Sequence, residues 1–207
     1  MSRGATARLF VAVDPPLEVR EELAAWARSV AVAARAVGGS RGELRLLDGL
    51  GLHVTLCFLG SRPVAEIEAL AGALAAAGEH ACELSLGAPL WLPTRRPQAL
   101  AAEIHDHGGE LERAQRALIA ELCNVSSWQP ERRRFRPHIT VARLHRGGRA
   151  RHSGAERSAR EGLERSLPAT PRLSFTPQAV VLYRSWLSRE GASHEALASS
   201  ELATVGR

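Results

Sequence analysis

The chain of 207 residues predicts an α+β fold of two pseudo-symmetric lobes around a central groove. Three observations predict it. A four-residue phrase occurs twice, as His53-Val54-Thr55-Leu56 and as His138-Ile139-Thr140-Val141. Each copy lies in a short β-branched and aliphatic run of the kind that forms a buried strand. Segments with helical apolar spacing alternate with such runs in both halves. Alternation alone also suits a parallel doubly wound sheet. The doubled phrase argues instead for two similar lobes related by a pseudo-twofold, with the histidines in the groove between them. One domain over residues 1–207 is expected, its two interwoven lobes carrying one phrase each.

The elements follow in order. Leu9 to Val13 reads as a strand. Asp14-Pro15-Pro16 offers a capping side chain and a proline in the first turn, which starts a helix. Val19, Leu23, Trp26, Val30 and Ala34 keep three- and four-residue spacing until Gly38-Gly39 stops it. The first phrase opens a strand that ends at Gly60. Pro63 opens a second helix with Val64, Ile67, Leu70 and Leu74 on one face, ending near Gly78. Short strands are expected over 82–86, 90–92 and 99–104. Leu111, Ala114, Leu118, Ile119 and Leu122 mark a third helix after Gly108-Gly109. The strand of the second phrase follows an arginine-rich loop at 132–136. Residues 145–162 read as a surface segment, with a short helix over 155–167. Strands over 172–175 and 179–183 close the fold.

The net charge of +5 comes entirely from arginine, because none of the 27 basic residues is lysine. This excludes a Schiff base, a P-loop lysine and a lysyl nucleotide adduct, and with them an ATP-dependent ligase working through such an adduct. Cys57, Cys82 and Cys123 are scattered and odd in number, which supports inert thiols in a reducing cytosol rather than a disulfide framework or zinc knuckle. The apolar run near the N-terminus ends at Asp14, too short for a signal peptide, and no segment approaches a membrane span. A cytoplasmic, monomeric enzyme without membrane contact is expected.

Side chains alternate faces along a strand, so His53 and Thr55 share one face opposite Val54, Leu56 and Phe58. His138 and Thr140 likewise stand opposite Ile139 and Val141. Two imidazoles and two hydroxyls meeting across a groove suit acid–base chemistry on a phosphate. His105-Asp106-His107 ends an apparent strand and reads as polar turn rather than as metal ligands. His80, His145, His152 and His194 lie in polar, exposed stretches. The run Arg132, Arg133, Arg134 and Arg136 suits a polyanionic RNA backbone, and Arg95-Arg96 does so more weakly. Arg143 follows His138 by five residues, and strict alternation turns it away; the strand must bend near Ala142 for it to reach a shared phosphate. Trp91, Trp128 and Tyr183 read as buried aromatics before base-stacking ones.

With their flanks, the two phrases resemble the signature of the two-histidine (2H) phosphoesterase superfamily. More narrowly, the chain resembles the RNA 2′,3′-cyclic phosphodiesterases, also called LigT-like proteins or 2′-5′ RNA ligases. Residues 8–14, Arg-Leu-Phe-Val-Ala-Val-Asp, resemble the opening strand of that family. Residues 52–60 resemble its first motif, 134–143 its second, and 180–185 its closing strand. The chain departs at residues 45–47, at Cys57 and at His194, where the family often has an aromatic residue, a basic residue, and an aromatic or arginine respectively.

The resemblance implies antiparallel sheets facing inward with helices packed outside. It also implies hydrolysis of an RNA 2′,3′-cyclic phosphate to a 2′-phosphomonoester, without metal or nucleotide cofactor. His138 would accept the proton of water and His53 would protonate the leaving 3′-oxygen, with Thr55 and Thr140 donating to the non-bridging oxygens. Arg143 would meet the scissile phosphate, while Arg134 and Arg136 are candidates for substrate backbone. Other readings are ATP-independent 2′-5′ ligation, hydrolysis of another small cyclic nucleotide, and non-catalytic RNA-end binding.

Overall fold

Among the described residues, nine strands form one curled antiparallel sheet with three α-helices packed against it. The computed structural model describes residues 4–36, 44–78, 80, 82–94, 97–144, 167–188 and 192–203. In chain order the elements are β1 (Thr6–Val13), α1 (Leu17–Ala36), β2 (Leu44–Leu46), β3 (Val54–Pro63), α2 (Ile67–Gly72), β4 (Leu84–Leu92), β5 (Ala99–Asp106), α3 (Glu110–Val125), β6 (His138–Leu144), β7 (Ser174–Phe175), β8 (Ala179–Leu187) and β9 (Ala192–Glu201). The sheet runs β7-β4-β5-β6-β3-β1-β8-β9, with β2 pairing β6 from the side.

That order is symmetric about its middle. In one half β3 is followed outward by β1, β8 and β9; in the other β6 is followed by β5, β4 and β7. In each half a helix links the two inner strands, α1 between β1 and β3 and α3 between β5 and β6. The halves join through one register pair, Val54 with Ile139. The two phrases therefore lie side by side at the centre of one antiparallel sheet.

Apolar patterning sets which face the helices cover. Leu9, Val11 and Val13 of β1 are fully buried in the core. Val19, Leu23, Trp26 and Val30 of α1 pack onto it, as their spacing requires. The Trp26 indole N–H donates to the Pro168 carbonyl at 3.0 Å and ties α1 to the segment before β7. α3 buries Leu111, Ala114, Leu118 and Leu122. Truncating one such leucine to alanine costs about 2–5 kcal/mol.

Several elements differ from the sequence reading. α1 starts at Leu17, three residues after Asp14, whose carboxylate accepts a hydrogen bond from Tyr183. β3 continues past Gly60 to Pro63, with Gly60 taking φ +72° at an irregularity opposite Leu9 and Phe10. The second helix is broken into a 3₁₀ turn, the six-residue α2 and another 3₁₀ turn over Ala73–Ala77. The two strands expected near 82–86 and 90–92 are one strand, β4, with a register shift between Leu86 and Pro89; Pro89 has no N–H for the ladder. β8 runs on to Leu187, and β2 and β9 were not anticipated. Gly38, Gly39, Arg95, Arg96, His145, His152 and the segment 145–166 lie outside the described residues.

Cys57 and Cys82 are buried free thiols, each pushed up to about 12 with burial as the first cause, and Cys123 is half-buried. Among the described residues, no helix is long and apolar enough to cross a membrane.

Candidate active site

Each phrase contains a β-bulge at its fourth residue. Opposite β3, Ala12 pairs with Thr55 but Val11 pairs with Cys57, which leaves Leu56 as the extra residue. Opposite β6, Ala101 pairs with Thr140 but Leu100 pairs with Ala142, which leaves Val141 extra. A bulge resets the alternation. Leu56 and Cys57 both point into the core, as do Val141 and Ala142. The residue after each buried pair returns to the histidine face. Phe58 is therefore on the side of His53 and Thr55, paired with Phe10 rather than opposite them as strict alternation required. Arg143 is likewise on the side of His138 and Thr140, sharing it with Ala99 and Ala101. The bend that Arg143 needs is this bulge.

A bulged residue loses ladder partners, and buried carbonyls need replacements. The Leu56 carbonyl accepts from the Gln115 side-chain amide of α3 at 3.0 Å. The Val141 carbonyl accepts from the Leu47 N–H at 2.9 Å. Both irregularities are thus satisfied from outside their own hairpins.

The two imidazoles are held alike. His53 Nδ1 lies 2.8 Å from the Gly51 carbonyl and His138 Nδ1 lies 2.7 Å from the Arg136 carbonyl, each two residues upstream. A carbonyl only accepts, so both rings carry a proton on Nδ1 and leave Nε2 for proton exchange. Both anchors are braced. Asp48 Oδ1 accepts from the Leu50 N–H at 3.1 Å, and Arg20 donates to the Leu50 carbonyl at 2.8 Å, which fixes the turn 49–51 against α1. On the other side the Arg136 guanidinium pairs with Glu103 at 3.1 Å, and the Ile104 N–H donates to the Pro137 carbonyl at 3.1 Å.

Carboxylates accompany both histidines across the ladder. Glu103 of β5 is the register partner of His138. One step beyond the Val13–Val54 pair, the same register brings Asp14 to His53. Asp14 is bonded by the Tyr183 hydroxyl at 2.6 Å, and Glu103 by Arg136. Tyr183 stays a neutral donor because burial, then Asp14, raises its pKa.

Beyond this shared plan the two sides diverge. The His53 side is aromatic. Phe10 stacks on His53 with centroids 4.8 Å apart and on Tyr183 at 5.1 Å, and the Arg8 guanidinium lies 4.5 Å over the Phe58 ring. His194 of β9 stands edge-on to His53 at 5.4 Å and to Phe10 at 5.0 Å. His53 titrates below its ordinary 6.5. Burial is the first cause; the Gly51 hydrogen bond and Asp14 oppose it, while His194 and His138 add to it. The His138 side is charged and open. Arg143 is exposed and directly opposite Arg45 of β2, a like-charge pair that an anion would relieve. The charge of Arg143 also reaches His194, whose pKa is lowered first by burial and then by that guanidinium.

The site thus collects His53, His138, Thr55, Thr140 and Arg143 on one face. Arg136 is committed to Glu103 and, through its carbonyl, to His138. Arg132, Arg133 and Arg134 are exposed in the loop before β6. Trp91 and Trp128 are buried in the core, and Tyr183 lines the aromatic side. His107 bonds Ser85, and Asp106 caps α3 through the Glu112 N–H. Among the described residues no three metal-ligating side chains are grouped together. His80 is half-buried and paired with Glu110 at 3.1 Å rather than exposed. His194 is also half-buried, a correction that matters because it touches His53.

Sequence reasoning gave no site role to Glu103 or Gln115 and took Asp14 for a helix cap. It noted His194 as a departure from the family without placing it beside His53. The two carboxylates could have been found by asking which residues precede or end the neighbouring strands. Nothing local in the sequence marks Gln115 or His194.

No family model and no curated protein sequence matches the chain. Solved structures do. The crystal structure of TT0787 of Thermus thermophilus is similar at 24% identity, over 95% of this chain and 98% of that one, with TM-score 0.68. Escherichia coli LigT complexed with 3′-AMP is similar at 21% identity, over 97% of this chain and all of that one (100%), with TM-score 0.68. The same protein complexed with phosphate matches at 21% identity, over 96% and 99%, with TM-score 0.68. At these identities the likeness shows that this chain has the fold of the LigT structures.

Proposed function

We propose that the chain is an RNA 2′,3′-cyclic phosphodiesterase that opens a terminal cyclic phosphate to a 2′-phosphomonoester. The observation that carries the reading is the matched pair of imidazoles, both fixed as Nδ1–H tautomers and both with Nε2 left for exchange. That E. coli LigT, of the same fold, was crystallised with 3′-AMP and with phosphate supports a nucleotide phosphate as the ligand.

His138 takes the proton of a water through its Nε2 lone pair. The water oxygen bonds to phosphorus as the bond from phosphorus to the 3′-oxygen breaks in line with it. The proton on His53 Nε2 passes to that 3′-oxygen, leaving a 3′-hydroxyl and a 2′-phosphate. Thr55 and Thr140 donate to the non-bridging oxygens, and Arg143 offsets their growing charge. A depressed pKa makes protonated His53 a stronger acid toward the leaving alkoxide. The phosphate anion and Asp14 favour that protonated form in the complex. The strained ring opens by this proton transfer without a metal. A 5′-hydroxyl in place of the water would close a 2′-5′ linkage from the same site without ATP, and a small cyclic nucleotide would follow the same steps.

The test is incubation with 2′,3′-cyclic AMP followed by product identification. Accumulation of 2′-AMP that persists in excess chelator and is lost in a folded His53→Ala variant is expected. Retention of the cyclic nucleotide without turnover would make the chain an RNA-end binder and end this reading.

A further inference from the structure

The third imidazole of the groove is held in the opposite way from the other two. His194 Nδ1 is buried and meets no hydrogen-bond partner among the described residues, whereas its Nε2 is not such a stranded buried atom. A buried lone pair without a partner costs less than a buried N–H without one, and far less than a buried charge without one. The ring therefore settles with its proton on Nε2 and its lone pair inward. His53 and His138, each donating Nδ1–H to a carbonyl, have the reverse tautomer.

We propose that His194 is a neutral hydrogen-bond donor in the groove, giving its Nε2–H to an oxygen of the phosphoryl group that His53 serves. The inference rests on the proposed phosphodiesterase reading and adds a further residue to it.

The surroundings are consistent with a donor that does not titrate at neutral pH. From β1 the ring faces Phe10, with Asp14 beyond it held by Tyr183 of β8. From the turn before β3 it faces His53, and Gly51 leaves room beside its Cδ2 edge, where an added Cβ would stand 4.0 Å away. From β6 comes the guanidinium of Arg143, which disfavours a further positive charge on His194. Among the described residues no carboxylate bears on the ring, and Asp14 behind Tyr183 already accepts from that hydroxyl. A neutral N–H beside His53 helps hold the anion without competing for the exchanged proton.

Glutamine reproduces a donor at the Nε2 position, and phenylalanine keeps the ring but removes the donor. His194→Phe should weaken the binding of sulfate, a dianion that does not itself titrate near neutrality, by about tenfold, and His194→Gln should restore most of it. The advantage of wild type over His194→Phe should stay level between pH 6.5 and 8, since a neutral donor acts throughout that range. Nitrogen-15 spectra of the free protein should give His194 as the Nε2–H tautomer at pH 7, against Nδ1–H for His53 and His138. These spectra and the sulfate affinities stand apart from turnover, so a failure of the phosphodiesterase reading would not disguise the result. Sulfate binding by His194→Phe equal to wild type would overturn the proposal. So would a His194 ring that is doubly protonated, or protonated on Nδ1 alone, at pH 7.

Discussion

Leu56 and Val141 are equivalent residues, the one extra position that each central strand carries directly after its threonine. Each drops itself and its successor into the core and brings the next residue back beside the histidine. The two returning residues are Phe58 and Arg143. The irregularity is shared by both halves, while its product is aromatic in one and cationic in the other.

Gln115 should matter out of proportion to its place on a helix. Gln115→Leu leaves the Leu56 carbonyl without its donor and should cost about 1–3 kcal/mol in chemical denaturation. Turnover should also fall at temperatures where the variant is fully folded, because Thr55 sits next to the loosened bulge. A variant with normal stability and normal turnover would show that the bulge holds without this bond.

The parts of this arrangement that sequence made visible are those with local signatures. Repetition of His-x-Thr-x in β-branched runs marked the central strands, and three- and four-residue spacing marked α1 and α3. The bulges left no such mark, because Leu56 and Val141 are as apolar as an alternating strand allows. Their presence is decided by register with β1 and β5. β9 escaped for a different reason. Its sequence, Ala-Ser-His-Glu-Ala-Leu-Ala-Ser-Ser-Glu, is poor in β-branched and aromatic residues, and it is a strand because β8 offers a long edge to pair with. Missing β9 meant not seeing that His194 stands beside His53.

The two groove histidines, under the proposed reaction, should be individually costly and jointly non-additive. His53→Ala and His138→Ala should each reduce turnover of 2′,3′-cyclic AMP by about a hundredfold or more. The double variant should lose less than the product of the two, because both groups act in one transition state. Thr55→Ala and Thr140→Ala should cost about a hundredfold or less, the scale of one oxyanion donor. Wild-type turnover by a folded His53→Ala protein would make the doubled phrase structural.

Stability should carry the signature of His53. Its pKa is lower folded than the 6.5 it has when free, so below pH 6.5 the unfolded chain binds more protons than the native one. This contribution to stability is present above pH 6.5 and is lost as pH falls from there through the depressed folded value. In His53→Gln the loss should be smaller over the same window, as measured by urea midpoints at pH 7.5 and pH 5.5. An unchanged pH dependence would mean that His53 is not held neutral by burial.

The arginines should separate by substrate. Arg143→Ala should impair the cyclic mononucleotide and an RNA end alike, because the residue shares the histidine face. Replacing Arg132, Arg133 and Arg134 together should weaken RNA-end binding and flatten its salt dependence, with little effect on the mononucleotide. Equal losses on both substrates would bring the loop to the scissile phosphate.

The single Val54–Ile139 pair at the middle of the sheet has a mechanical meaning. Elsewhere the ladder ties neighbouring strands through several pairs, so each half behaves as a plate. Between the plates there is a seam, and the two histidines ride on opposite banks of it. The distance between the two imidazoles is then governed by the thickness of what fills the seam underneath, where Val54 and Ile139 are both fully buried. A methylene gained or lost there acts as a shim, altering the reach between the two imidazoles.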